Sequence, residues 1–101
     1  MNPDVTQNKK ILLIEDEDFI RDLYVRQLSK TGFIIKSAVD GQSGLNLLKS
    51  EPFDLLLLDI MLPGMNGLQL LRDFKLQNPN SQMITILLTN LGQEAVIKEG
   101  F

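Results

Sequence analysis

The chain of 101 residues contains no cysteine, no histidine and no tryptophan, and only one tyrosine. Without Cys there is no disulfide and no thiolate nucleophile. Without Cys and His there is no zinc site of the usual kind and no histidine general base. Long apolar runs are lacking too: none approaches the roughly 20 residues of a membrane span. Excess positive charge is missing; the net charge of −3 does not suggest a nucleic-acid backbone as partner. No Gly-rich phosphate loop follows the first apolar run, which argues against a nucleotide-binding fold. Residues 1–8 are polar and carry no apolar signal core, so a loose terminus on a cytoplasmic protein without membrane contact is expected. There is no internal repeat and no low-complexity tract.

What is present is 44% apolar residues, enough for one core, and the length fits one domain spanning 1–101. The stretch Leu55-Leu56-Leu57-Leu58-Asp59-Ile60-Met61-Leu62-Pro63-Gly64-Met65-Asn66-Gly67 organises the rest. Four leucines run into one carboxylate, and Pro63 and Gly64 close the segment. A short apolar run could belong to a buried helix, but its brevity and its Pro-Gly closure favour a buried parallel strand over 54–58. Ligands in such sheets sit beyond the carboxyl ends of the strands, which is where Asp59 falls.

Taken in order, Lys10 to Ile14 reads as a first buried strand, followed by the acids Glu15-Asp16-Glu17-Asp18. Ile20, Leu23, Tyr24, Gln27 and Leu28 recur at helical spacing and predict a helix over 18–31, with Asp18 as N-cap and Gly32 at its C-terminal stop. Phe33 to Val39 is rich in β-branched and aromatic residues and predicts a second strand. Asp40-Gly41 could form a hairpin turn, but Leu45, Leu47 and Leu48 make the next segment helical, up to Pro52. After the Asp59–Gly67 loop, Asn66 with Gln69 resembles a capping box ahead of a third helix carrying Leu68, Leu70, Leu71 and Phe74. Asn78 to Ser81 breaks it. Met83 to Leu88 is a fourth strand ending at Thr89-Asn90, and 93–99 is a fourth helical stretch. Strict alternation of strand and helix predicts a parallel sheet with helices on both faces, and right-handed crossovers bring the strand ends to one edge.

Two strand ends there carry acids, Glu15 and Asp16 after the first and Asp59 after the third; a third end carries the hydroxyl of Thr89. If the first and third strands are neighbours, three carboxylates converge. Like charges so placed are costly unless a cation neutralises them, and oxygen ligands with room for water suit Mg²⁺. Glu17 and Asp18 are better read as helix-start acids favoured by the dipole.

These residues resemble the receiver domain of bacterial two-component response regulators. The resemblance covers nearly the whole chain. It rests on Ile14-Glu15-Asp16-Glu17, Ala38-Val39-Asp40-Gly41, Asp59 to Gly67, and Leu87-Leu88-Thr89. The third is the most specific: Asp, Pro four residues on, Gly four further. The resemblance implies a flavodoxin-like, doubly wound α/β fold with strand order 2-1-3-4-5. Of this the chain would carry 2-1-3-4, ending at Phe101 one strand and one helix short. It implies that Asp59 accepts a phosphoryl group from a histidine kinase or phosphotransfer protein. It also implies that Glu15, Asp16, Asp59 and the backbone carbonyl of Met61 hold Mg²⁺ or Mn²⁺, and that Thr89 hydrogen-bonds the phosphoryl group.

Two departures from the family carry expectations of their own. The family's phosphoryl-pairing Lys would lie beyond Phe101, and Lys98 does not match it, so phosphorylation is expected to be inefficient. Asn90 stands where a smaller residue is usual, so hydrolysis of the acyl phosphate is expected to be slow. An Asp-nucleophile phosphohydrolase would need a second Asp at position 61, which is Met. A non-catalytic, self-associating binding module is the alternative from another class. The segment 83–88 is uncharged, free of Pro and in part β-branched. As an outermost strand it would favour self-association, by edge pairing or by exchange of 91–101 between subunits.

Overall fold

The computed structural model describes residues 9–62 and 64–88. Five-residue strand β1 spans Lys10–Ile14 and leads into helix α1, Asp18–Ser29. Strand β2, Ile34–Ala38, is followed by α2, Gly41–Ser50, and strand β3, Leu55–Asp59. Two short strands, β4 (Met61–Leu62) and β5 (Met65–Asn66), precede α3, Gly67–Gln77, and strand β6, Ile84–Leu88.

β1, β2, β3 and β6 form one parallel sheet in the order β2-β1-β3-β6, the expected 2-1-3-4 arrangement of the main strands. The two central strands, β1 and β3, are short apolar runs because both of their faces are covered, while β2 and β6 are partly exposed. On one face Leu12, Ile14, Leu56 and Leu58 pack with Leu48 of α2 and with Leu70, Leu71 and Phe74 of α3. On the other, Ile11, Leu13 and Leu57 meet Tyr24, Val25 and Leu28 of α1. Ile11 to Ile14, Leu56, Leu58 and Leu71 are essentially inaccessible to water. Burying such a side chain contributes about 1.5–3 kcal/mol relative to leaving it exposed. No helix among the described residues is long and apolar enough to cross a membrane.

Several local expectations are corrected. The N-cap of α1 is Glu17, and Asp18 is its first helical residue; no side chain caps this end. The inward stripe of α1 is Tyr24, Val25 and Leu28, while Leu23 is exposed, because at 100° per residue the last lies off the face turned to the sheet. Lys30 is the C-cap of α1, and Gly32, at φ 90°, supplies the left-handed residue two positions later. The helix expected after Asp40-Gly41 is present, and Asp40 caps it by accepting from Ser43 N–H at 2.8 Å. At α3 only half of a capping box is made. Asn66 Oδ1 accepts from Leu68 and Gln69 N–H, but the Gln69 amide turns away to Asp73. The stretch after Asp59 is an antiparallel hairpin, with Met61 paired to Asn66 and Leu62 to Met65. The expected helix at 93–99, Thr89, Asn90, Lys98 and the exchange segment 91–101 lie outside the described residues.

Candidate functional site

The site is built where β1 and β3 run side by side and end together. Leu13 is level with Leu57 and Ile14 with Leu58. The next residues, Glu15 and Asp59, therefore reach the same edge. Asp59 is the last residue of β3 rather than the first of a loop: it is level with Leu88, whose carbonyl accepts from Ile60 N–H at 3.2 Å. Backbone pairing continues through the carboxylate residue because the ladder does not depend on side-chain type.

Glu15, Asp16 and Asp59 each offer a carboxylate oxygen, and these oxygens lie within 4.8 Å of one another. Glu15 and Asp59 are each only 4% exposed, a rare state for acids. Asp16 is half-buried and shares a cleft of about 570 Å³ with Ile60, Met61, Leu62, Met65 and Asn66. Glu15 accepts from Glu17 N–H at 3.0 Å, and Asp59 Oδ1 accepts from Met61 N–H at 3.0 Å. Burial pushes the Glu15 carboxyl up to about 7, helped by the charges of Asp59 and Asp16 and opposed by the Glu17 amide. Burial also raises Asp59, with Asp16 adding to the rise and the Met61 amide opposing it. The arrangement concentrates negative charge in a partly dry pocket, the condition that a hard cation relieves.

Sequence reasoning missed several supporting residues. Arg21 on α1 donates through Nη1 to the carbonyl of Glu15 at 3.0 Å and of Asp16 at 3.5 Å, and its Nη2 pairs with Asp18. It thereby ties the acidic loop to the helix; its place one helical turn beyond the acids was the available signal. The β4–β5 hairpin is the second omission. It carries Met61, whose amide orients Asp59, and its turn uses Gly64 at φ 71°. Thr89, the remaining expected member, lies outside the described residues.

The family model for the response regulator receiver domain matches residues 11–101. The chain belongs to that family. The transcriptional regulatory protein CusR of Escherichia coli is 37% identical over 82% of this chain and 36% of its own length. The receiver domain spans about a third of the length of the curated relatives it matches. Among solved structures it is similar to the Thermotoga maritima response regulator TrrA in complex with Mg²⁺-BeF. That match is 34% identical, with a TM-score of 0.74, over 80% of this chain and 69% of the other. It is also similar to a complex of the histidine kinase ThkA with TrrA, at 31% identity and a TM-score of 0.76, over 89% of this chain and 76% of the other. The fold is therefore the flavodoxin-like receiver fold, and the chain is a response-regulator module of two-component signalling.

Proposed function

We propose that this receiver domain takes a phosphoryl group onto Asp59 from a phosphohistidine on a partner histidine kinase or phosphotransfer protein. The observation that carries the reading is the trio of carboxylates within 4.8 Å, two of them buried, at the joint end of β1 and β3. The kinase complex and the Mg²⁺-BeF complex among the similar structures support it. In the transfer, a carboxylate oxygen of Asp59 forms a bond to phosphorus while the P–N bond to the donor histidine breaks. The histidine nitrogen leaves with the electron pair and takes a proton. The chain's lack of His is consistent with this, since the donor belongs to the partner.

The donor set suits Mg²⁺ or Mn²⁺: Glu15, Asp16 and Asp59 would supply carboxylates, and the Met61 carbonyl would supply the backbone ligand. When bound, the cation neutralises the charge that develops on the phosphoryl oxygens. Asp59 is the nucleophile. The Met61 amide holds one of its oxygens, so the carboxylate enters the reaction with a fixed orientation. Thr89, outside the described residues, would hydrogen-bond the transferred group. Incubation with a small acyl-phosphate donor and Mg²⁺, followed by mass spectrometry, tests the assignment. One phosphoryl group on Asp59 is expected, abolished by chelator and by Asp59→Ala. Modification that survives Asp59→Ala refutes it.

A second reading rests on a separate observation and concerns assembly. β6 is one of the two outer strands of the sheet among the described residues, and Ile84 and Ile86 on it are 64% and 47% exposed. An uncharged apolar edge of this kind favours pairing with a second copy. Self-association through 84–88, or by exchange of 91–101, is expected to show as a concentration-dependent sedimentation coefficient. A compact monomer at high concentration, or association unaffected by Ile86→Lys, counts against edge pairing.

A further inference from the structure

The hairpin that presents the Met61 amide to Asp59 has to be held, and two glycines stand where it meets the rest of the fold. Gly67 opens α3 and donates its N–H to Ile60 O at 2.9 Å. A Cβ there would lie 2.6 Å from Asp59 O and 3.0 Å from Ile60 Cα, so α3 can approach the strand end this closely only without a side chain. The other is Gly41, the buried first residue of α2, far from the hairpin in sequence. A Cβ there would fall on Met65 Sδ and lie 3.1 Å from Met65 Cβ and 3.2 Å from Met65 Cγ.

Glycine at position 41 is not explained by the backbone, because the described glycines with positive φ are Gly32 and Gly64. Nor does glycine favour a helix. Space is the remaining reason, and Met65 fills it. Met65 packs against the core cluster that contains Leu48 and Leu62, and it pairs with Leu62 across the hairpin. Its neighbour Asn66 pairs with Met61. The seat on α2 therefore sets β5, β5 sets β4, and β4 carries the N–H that holds Asp59 Oδ1 at 3.0 Å.

We propose that Gly41 is a positioning residue for Asp59, acting through Met65 and the β4–β5 hairpin. The inference rests on the reading of Asp59 and its carboxylate neighbours as the phosphoacceptor and metal site. Adding a methyl group at 41 lifts Met65 off α2 and draws the Met61 peptide away from the carboxylate. Helix α2 keeps its Asp40 cap, because Ser43 N–H and Asp40 are untouched.

The test compares the receiver domain with Gly41→Ala, Met65→Ala and the double variant, by amide NMR without metal and then during titration with Mg²⁺ alone. In Gly41→Ala the Met61 amide is expected to shift and to lose hydrogen-exchange protection. The midpoint for Mg²⁺ should rise by about tenfold, a size typical of coupling between contacting residues. Once Met65 is truncated, Gly41→Ala is expected to change the Met61 amide and the Mg²⁺ midpoint little further, which a general loss of stability would not do. An unchanged Met61 amide in Gly41→Ala, or a double variant that departs from Met65→Ala as far as Gly41→Ala departs from the wild type, overturns the proposal. If both variants carrying Gly41→Ala fail to fold, Met65→Ala decides alone. A shifted Met61 amide is expected, and an unchanged one overturns the proposal. A wild-type protein with no saturable Mg²⁺ response would remove the metal reading, while the metal-free Met61 amide would still judge the role of Gly41.

Discussion

Raising the pH of the metal-free receiver domain from about 5 to 8 is expected to destabilise it, the reverse of ordinary acid denaturation. Glu15 stands near 4.5 in the unfolded chain and is pushed up to about 7 in the folded one. Between those values the folded state holds a proton that the unfolded state has released. Stability therefore falls as pH rises through this window, and the contribution is complete below the unfolded value. At 1.36 kcal/mol per pH unit, a dry site would yield about 3 kcal/mol; water at the mouth of the pocket screens this to about 1–2 kcal/mol. Asp59 is raised as well and adds in the same direction. Asp40 and Glu51 are lowered, the first by the Ser43 amide and the second by Lys10 and then Lys36. Their stabilisation is lost only as pH falls below the ordinary carboxylate range, so they do not oppose the trend between 5 and 8. For a domain of this size the midpoint should drop by roughly 5–10 °C across the interval. Mg²⁺ at about 100 times its dissociation constant should restore about 2.7 kcal/mol at pH 8 and much less at pH 5, where protons compete. Thermal melts at four pH values, with and without Mg²⁺, measure both effects. Glu15→Gln keeps an oxygen for the Glu17 amide and should remove most of the slope. A metal-free midpoint that climbs from pH 5 to 8, or a Glu15→Gln slope equal to that of the wild type, would refute the reasoning.

Gly67→Ala forces a methyl group against Asp59 O and Ile60 Cα, and such overpacking costs about 1–3 kcal/mol. Mg²⁺ affinity should fall with it, as urea unfolding and metal titration will show. Asn66→Ala removes the acceptor for Leu68 and Gln69 N–H and should cost about 1 kcal/mol, while Asn66→Ser should retain most of the cap. Leu71→Ala empties a fully buried position on α3 and should cost about 2–5 kcal/mol in urea unfolding, with the Mg²⁺ midpoint of the folded fraction unchanged.

Much of this molecule was legible in its residue order, for a physical reason. A parallel strand buried on both faces must be a continuous apolar run, so 10–14 and 55–58 announced themselves within a residue or two, while 84–88, though partly exposed, was legible from its apolar and β-branched residues. Pro52, Gly32 and the Asn78–Ser81 segment marked the ends of helices, because they act on the backbone locally. The acids at 15, 16 and 59 were legible as strand-end residues, and their meeting then required only that β1 and β3 be neighbours. That adjacency is tertiary, and residue periodicity alone did not supply it. Only the packed structure puts Glu15 in a place dry enough to keep its proton to about pH 7. The hairpin at 61–66 was hidden because Pro63-Gly64 reads as a break, and two residues per strand leave no alternation to detect. Arg21 under the acidic loop and Gly41 under Met65 are contacts across space, made by residues whose local roles look ordinary. Local sequence decides which backbone state each segment prefers. Which side chains end up sharing one pocket, and how dry that pocket is, depends on how the segments pack.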